Sequence, residues 1–384
     1  MQHIPFHKAY VGQEEIKNVV QAIKSGWHTM GPKTVEFEEK FRAYTGAKYA
    51  ISVNSCTAAL HLALEAIGIK AGDEVLVPAI TFTASAEVVC YFKAKPVFVD
   101  VRRDTMNIDP TQIEARITKK TRAIITVDYA GQLADYDIIR KIAKKHHLLI
   151  IADAAHTLPS TYKGKKVGTL GDITCFSFYA TKTLDTGEGG MITTNNEQWA
   201  SRMKVMRLHG MNKDAWKRYS KQGSWFYEVV APGFKYNTTD INAALGLAQL
   251  GRLEWMWEKR RKIAEYYDKS FKNMPEIITP TIEADRQTSW HLYCIKLDLC
   301  LLKIDRNRFI QELSRRGIST SVHFIPLYRH PFYRDRFKVS VKIFPNSEWL
   351  YERIISLPIY PGLTQGQVRH IASSVGEIVK LYKK

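Results

Sequence analysis

Residues 176–190 read FSFYATKTLDTGEGG. Most lysines of so basic a chain are solvated surface charges, but Lys182 has an unusual setting. Phe176, Phe178 and Tyr179 make one flank bulky and apolar. Thr181 and Thr183 bracket the amine with short hydroxyls, and Gly187, Gly189 and Gly190 let backbone come close in the loop that follows. An amine held in a partly dry pocket has a lowered pKa and becomes a usable base and nucleophile. Asp153, 29 residues earlier, stands directly after the apolar run LLIIA. A carboxylate there needs a cationic or N–H partner. NSCTAAL at 54–60 puts Ser55, Cys56 and Thr57 ahead of a helical pattern. Such a start is commonly a plain cap, but free N–H groups, helix dipole and hydroxyls also suit a phosphate. In PAITFTAS at 78–85, Phe82 offers an aromatic face that would serve either as core or as a stacking platform.

The elements that must position these residues alternate. Short apolar stretches at 49–53, 74–77, 96–101, 122–127 and 148–152 read as strands. Between them, 57–67, 83–92 and 136–146 carry helical spacing, and Asp109 with Pro110 predicts a further capped helix. Two more strands are expected at 172–178 and 191–194, around the Lys182 loop. Strands alternating with helices predict an α/β fold whose mostly parallel sheet is covered on both faces. After about residue 240 the pattern changes to one long helix over 240–271, then shorter pieces at 290–297, 306–316 and 365–381. The expected division is an N-terminal arm with a large domain at 1–245 and a smaller α+β domain at 246–384.

In such sheets ligands bind beyond the carboxyl ends of the strands, where NSCTAAL, Phe82, Asp153 and the Lys182 loop all fall. A phosphate cradle, a stacking aromatic, an acid and a buried amine together suit pyridoxal 5′-phosphate (PLP). The lysine would hold the aldehyde as a Schiff base, and the acid would keep the pyridine nitrogen protonated.

The 384 residues are 45% hydrophobic, enough for a large core. The N-terminal segment lacks the basic start and apolar run of a signal peptide, and no apolar window is long enough to span a membrane. Cys56, Cys90, Cys175, Cys294 and Cys300 are scattered and show no C-x-x-C spacing. Reduced thiols in a cytoplasmic protein, with no metal site, are expected. The formal charge of +18 has basic runs at 141–147, 202–221 and 252–262. Nucleic-acid binding is one reading of that charge. Solvated helix faces are the favoured one, and attraction of anionic substrates is compatible with it.

The motifs NSCTAAL, ADAAH, FSFYATKTLDTGEGG, PGFKYNTTDINAALGLAQL and SLPIYPGLT, spread over nearly the whole chain, resemble the DegT/StrS sugar aminotransferases. These are PLP enzymes of fold type I, the aspartate-aminotransferase-like fold. The resemblance implies Lys182 as Schiff-base lysine and proton carrier, Asp153 at the pyridine nitrogen and Phe82 stacked on the ring. It implies Cys56, Thr57 and Ser177 at the phosphate, His156 beside the ring, and Gln132 near the ring hydroxyl. Asn237 would reach the cofactor of a neighbouring subunit, so a homodimer is implied. His323 would stand at the substrate entrance, and Arg329, His330 and Arg334 are candidate diphosphate contacts. Asp128 stands where many relatives have His, Ala152 where many have an acid, and Cys56 where many have Gly. Segments PGFKYN and HFIPLYRHPFY look most like transaminases acting at C4 of UDP-linked 4-keto sugars, with L-glutamate as donor, in surface polysaccharide, lipid A or glycan biosynthesis. A C3 aminotransferase of dTDP-3-keto-6-deoxy sugars is the nearest rival, and a non-catalytic regulatory or nucleic-acid-binding protein that keeps the fold is the rival of another class.

Overall fold

The computed structural model describes residues 3–212 and 226–384. Its main sheet is built from β1 (Tyr49–Val53), β2 (Glu74–Pro78), β3 (Lys95–Val99), β4 (Thr121–Val127), β5 (Leu149–Asp153), β8 (Ile173–Ser177) and β9 (Gly190–Thr194), with the small hairpin β6 (Thr161–Tyr162) and β7 (Lys165–Lys166) set between β5 and β8 in sequence. The spatial order is β1-β9-β8-β5-β4-β2-β3. Pairings β2–β3, β2–β4, β4–β5 and β5–β8 are parallel, whereas β9 runs antiparallel to both its neighbours. The middles of β2, β4 and β5 are apolar and buried because both faces of the sheet are covered.

Helices α1 (Gln13–Lys24) and α2 (Pro32–Thr45) precede the sheet, and α3 (Cys56–Ala66), α4 (Ala84–Tyr91), α5 (Tyr136–Lys145) and α6 (Glu197–Met206) flank it. α3 is buried on nearly every side, which its Ala- and Leu-rich sequence allows. α5 buries Ile139 and Ala143 and leaves Lys141, Lys144 and Lys145 in solvent, so this basic run is a helix face. Residues 213–221 of the second run lie outside the described residues.

Two predicted helices differ from the structure. The stretch at 240–271 is two helices, α7 (Asp240–Gly251) and α8 (Leu253–Phe271). Gly251 is a poor helix former, Arg252 leaves the helical region at φ −116° and ψ 11°, and its guanidinium turns to Glu15 at 3.1 Å. Asp109 does cap its successor, accepting from the Thr111 N–H, but only 3₁₀ turns follow at Pro110–Gln112 and Glu114–Arg116.

Beyond α8 lie β10 (Ile277–Ile278), β11 (Arg286–Gln287), β12 (Tyr293–Leu297) and β13 (Ile354–Leu357), with α9 (Arg306–Arg315), α10 (Pro331–Phe337), α11 (Pro345–Tyr351) and α12 (Gln365–Tyr382). β10, β12 and β13 form a separate antiparallel sheet, while β11 pairs with β6. Tyr267, Phe271, Tyr293, Phe309 and Ile378 make a core on that smaller sheet. Ile4 joins it and bridges to Ile318, so the chain's start is tied to its C-terminal part.

Candidate active site

A cavity of about 510 Å³ opens beyond the carboxyl ends of the main sheet. Four connections of that sheet deliver its chemistry. The β1–α3 turn brings Ser55, Cys56 and Thr57, the β2–α4 turn Phe82, the end of β5 Asp153 and His156, and the β8–β9 loop Ser177 and Lys182. The same wall is completed by Phe6, His7, His291, Ser321, His323 and Phe324 from the chain's start and its C-terminal part.

Ser55 is the N-cap of α3 and accepts from the Ala58 N–H at 3.1 Å. The first-turn N–H groups after it have no intrahelical acceptor and point toward the cavity end of the helix. Gly190 makes this junction possible, since a Cβ there would lie 2.7 Å from the Ser55 carbonyl. Gly189 is likewise packed against its own loop, with Thr186 2.2 Å from where a Cβ would stand. The close approaches these glycines allow are thus to the chain itself.

Asp153 is buried and held by three contacts. Ser85 Oγ donates to Oδ2 at 2.7 Å, with the Thr81 hydroxyl 2.8 Å behind it. The Ala155 N–H reaches Oδ1 at 3.2 Å, and the Cys56 thiol reaches the same oxygen at 3.8 Å. Burial pushes the carboxyl's pKa up, and the Ser85 and Ala155 hydrogen bonds and the nearby Lys182 charge oppose that shift. Burial brings Lys182 down to about 8, against the pull of Asp153 and the Cys56 sulfur. Phe82 is 60% exposed, which leaves a ring face free over the cavity. His156 is 6% exposed, and its ring lies 4.4 Å from that of His291 and near-parallel to that of Phe324. Burial lowers the pKa of His156, and of His323 to about 4, so both imidazoles are neutral at pH 7.

Five candidates, Gln132, Asn237, Arg329, His330 and Arg334, lie elsewhere. Gln132 does not line the cavity, because its amide donates to the Thr281 carbonyl at 2.9 Å and accepts from the Glu283 N–H at 2.7 Å. Arg329 is held by Glu348 through Nε at 2.9 Å and lies over Tyr351, so it makes no contact in the cavity. Asn237 is outside this chain's cavity too: Nδ2 donates to the Thr238 carbonyl, and Oδ1 is buried without a partner. Arg334 pairs with its neighbour Asp335. Asp128 is buried behind the site, where Ala134 and Tyr136 hold its carboxylate.

Sequence reading missed Ser85, His7, His291 and Phe324. Ser85 was within sight, one turn after Phe82. Phe324 adjoins His323 in a segment already singled out, whereas His7 and His291 come from remote segments that carry no local mark.

PLP fits this donor set. An open helix N-terminus with hydroxyls matches a phosphate, an exposed aromatic face matches a flat ring, a buried carboxylate matches a protonated ring nitrogen, and a lysine of lowered pKa matches an aldehyde. His156 Nδ1 is also buried without a protein partner.

Residues 9–376 match the DegT/DnrJ/EryC1/StrS aminotransferase family. The spore coat polysaccharide biosynthesis protein SpsC of Bacillus subtilis is 45% identical over 378 residues, covering 98% of this chain and 97% of that protein. PseC of Helicobacter pylori, an aminotransferase involved in the biosynthesis of pseudoaminic acid, superposes with a TM-score of 0.93 at 31% identity, over 99% of this chain and 100% of PseC. The PLP form of Streptococcus pneumoniae Spr1654, a candidate sugar aminotransferase, superposes with a TM-score of 0.92 at 34% identity over 99% of each chain. The chain therefore belongs to the DegT/DnrJ/EryC1/StrS family, as a sugar aminotransferase dependent on PLP.

Proposed function

We propose that this enzyme moves an amino group from L-glutamate to C4 of a UDP-linked 4-keto sugar. The observation that carries the reading is His323. It stands on the cavity wall at the head of HFIPLYRHPFY, the segment that resembles C4 transaminases, with Phe324 beside it. The likenesses to SpsC and PseC favour a product destined for a surface polysaccharide or a related glycan.

PLP, when bound, supplies an electron sink that makes the α-proton of the donor labile. In this reading Asp153 would pair with its ring nitrogen, Phe82 would stack on the ring and His156 would lie beside it. Thr57, the Cys56 N–H and Ser177 hold the phosphate. Lys182 anchors the cofactor, and its Nζ accepts the donor's α-proton once freed; an amine of lowered pKa suits a base near neutral pH. Asn237 serves the neighbouring subunit's site, so the working unit is a homodimer. His323 orients the keto sugar. The net charge of +18 draws in two anionic substrates.

The test is incubation with glutamate and a panel of UDP-4-keto and dTDP-3-keto sugars, with products read by mass and NMR. Amine at C4 of a UDP-sugar is expected. Amine only at C3, or only on a dTDP-sugar, overturns the substrate assignment and leaves the family's reaction in place.

A further inference from the structure

Within the basic run at 252–262, Arg260 of α8 is only 1% exposed. Its Nη1 donates to the main-chain carbonyl of Ile359 at 2.6 Å and to that of Trp290 at 3.4 Å, and Nε is buried without a partner. Among the described residues no carboxylate pairs with it. Burial lowers its pKa to about 10, so it stays cationic at neutral pH. A buried charge of this kind is costly unless a counter-charge offsets it.

The carbonyls it binds show which way that charge faces. Ile359 lines the Lys182 cavity, and Trp290 leads directly into His291, which lines it too. The Arg260 charge is felt at His291 and at His7, a third lining residue. Both imidazoles carry a buried nitrogen with no protein partner, Nδ1 of His291 and Nε2 of His7. His291 is itself only 6% exposed. A cation unmatched by any acid, behind two imidazoles with unpaired nitrogens, makes this wall complementary to an anion.

We propose that His291 and His7, backed by Arg260, bind the carboxylate of the amino donor. The proposal rests on the aminotransferase reading above. The donor's α-carboxylate is one bond from the carbon whose proton passes to Lys182 Nζ, so it must bind close to that amine. His7 and His291 both feel the Lys182 charge. The diphosphate of a nucleotide sugar is separated from the reacting ring carbon by several bonds and belongs farther out. His291 would touch the carboxylate, and Arg260 would act through it as a positioning residue. His7 already hydrogen-bonds the Ala180 carbonyl, so its free nitrogen can donate only if the ring gains a proton. Burial, Arg260 and Lys182 disfavour that proton, and the incoming carboxylate favours it. Donor binding is therefore coupled to proton uptake.

The test uses the PLP-loaded enzyme and glutarate, a dicarboxylate without an amine, titrated by calorimetry in two buffers of different ionisation heat. Wild type should bind it in competition with glutamate and take up protons. Arg260→Met and His291→Phe should each weaken glutarate at least about tenfold and raise KM for glutamate more than they lower kcat, as loss of a charge-assisted contact does. UDP affinity and visible cofactor absorbance should stay as in wild type, which also shows that a variant is folded. If Arg260→Met does not fold, His291→Phe carries the test. Unchanged glutarate affinity in the folded variants, equal loss of UDP and glutarate, or binding without proton uptake overturns the proposal. A wild type that holds no PLP and transfers no amine overturns instead the reading beneath it.

Discussion

Ser85 Oγ donates to Asp153 Oδ2 across 2.7 Å, linking the start of α4 to the end of β5 beneath the cavity floor. Two elements distant in sequence thereby fix the orientation of one buried carboxylate. That hydrogen bond also opposes the upward pull of burial on the carboxyl's pKa. Ser85→Ala should lose a hydrogen bond to a charged group and lower kcat roughly tenfold, with a smaller change in KM. The acidic limb of the pH–rate profile should move upward, because the carboxyl becomes harder to ionise. Steady-state kinetics across pH check both, and an unmoved limb would mean that Ser85 only packs.

Asp153→Asn should cut turnover by about a hundredfold or more while PLP still binds. A neutral amide cannot pair with a protonated ring nitrogen, though it fills the same space. Single-turnover rates and the absorbance of bound cofactor separate the two effects, and near-normal turnover would refute the assignment of Asp153.

In PLP-free protein, Lys182 should titrate near pH 8. Burial penalises the ammonium form, so the amine is freed at lower pH than that of a solvated lysine. Its acylation by an amine-selective reagent, followed by peptide mass spectrometry, should rise through about pH 8, while surface lysines respond only near 10. A Lys182 profile that overlays the surface lysines would contradict the dry-pocket account.

If Asn237 serves the neighbouring site, Lys182→Ala and Asn237→Ala should complement each other. A hybrid dimer would have one site with both lesions and one with neither. Mixing the two inactive variants at equal amounts, with subunit exchange, should restore about a quarter of wild-type activity. No recovery after exchange, verified by native mass spectrometry, would place both residues in the same site.

The order of chemistry along the chain was legible in the sequence. Apolar runs of strand length separated by helical spacing put Thr57, Phe82, Asp153 and Lys182 each after a strand, and in a doubly covered sheet those ends converge on one edge. Local periodicity suffices for that, because it depends on neighbours in the chain. Allegiances between distant segments do not show in any local pattern. Gln132 looks like a site residue until the 281–283 segment takes its amide, and Arg329 until Glu348 takes its guanidinium. Arg260 reads as one more solvated cation in a basic run, yet packing buries it behind Ile359. His7, His291 and Phe324 join the cavity only because the chain's start and its C-terminal part fold onto the main sheet's edge. The sequence by itself thus determined the α/β scaffold and the reacting groups. Tertiary structure alone decided which buried polar groups find partners in the protein and which are left facing a ligand, since burial and hydrogen bonding are properties of the packed whole.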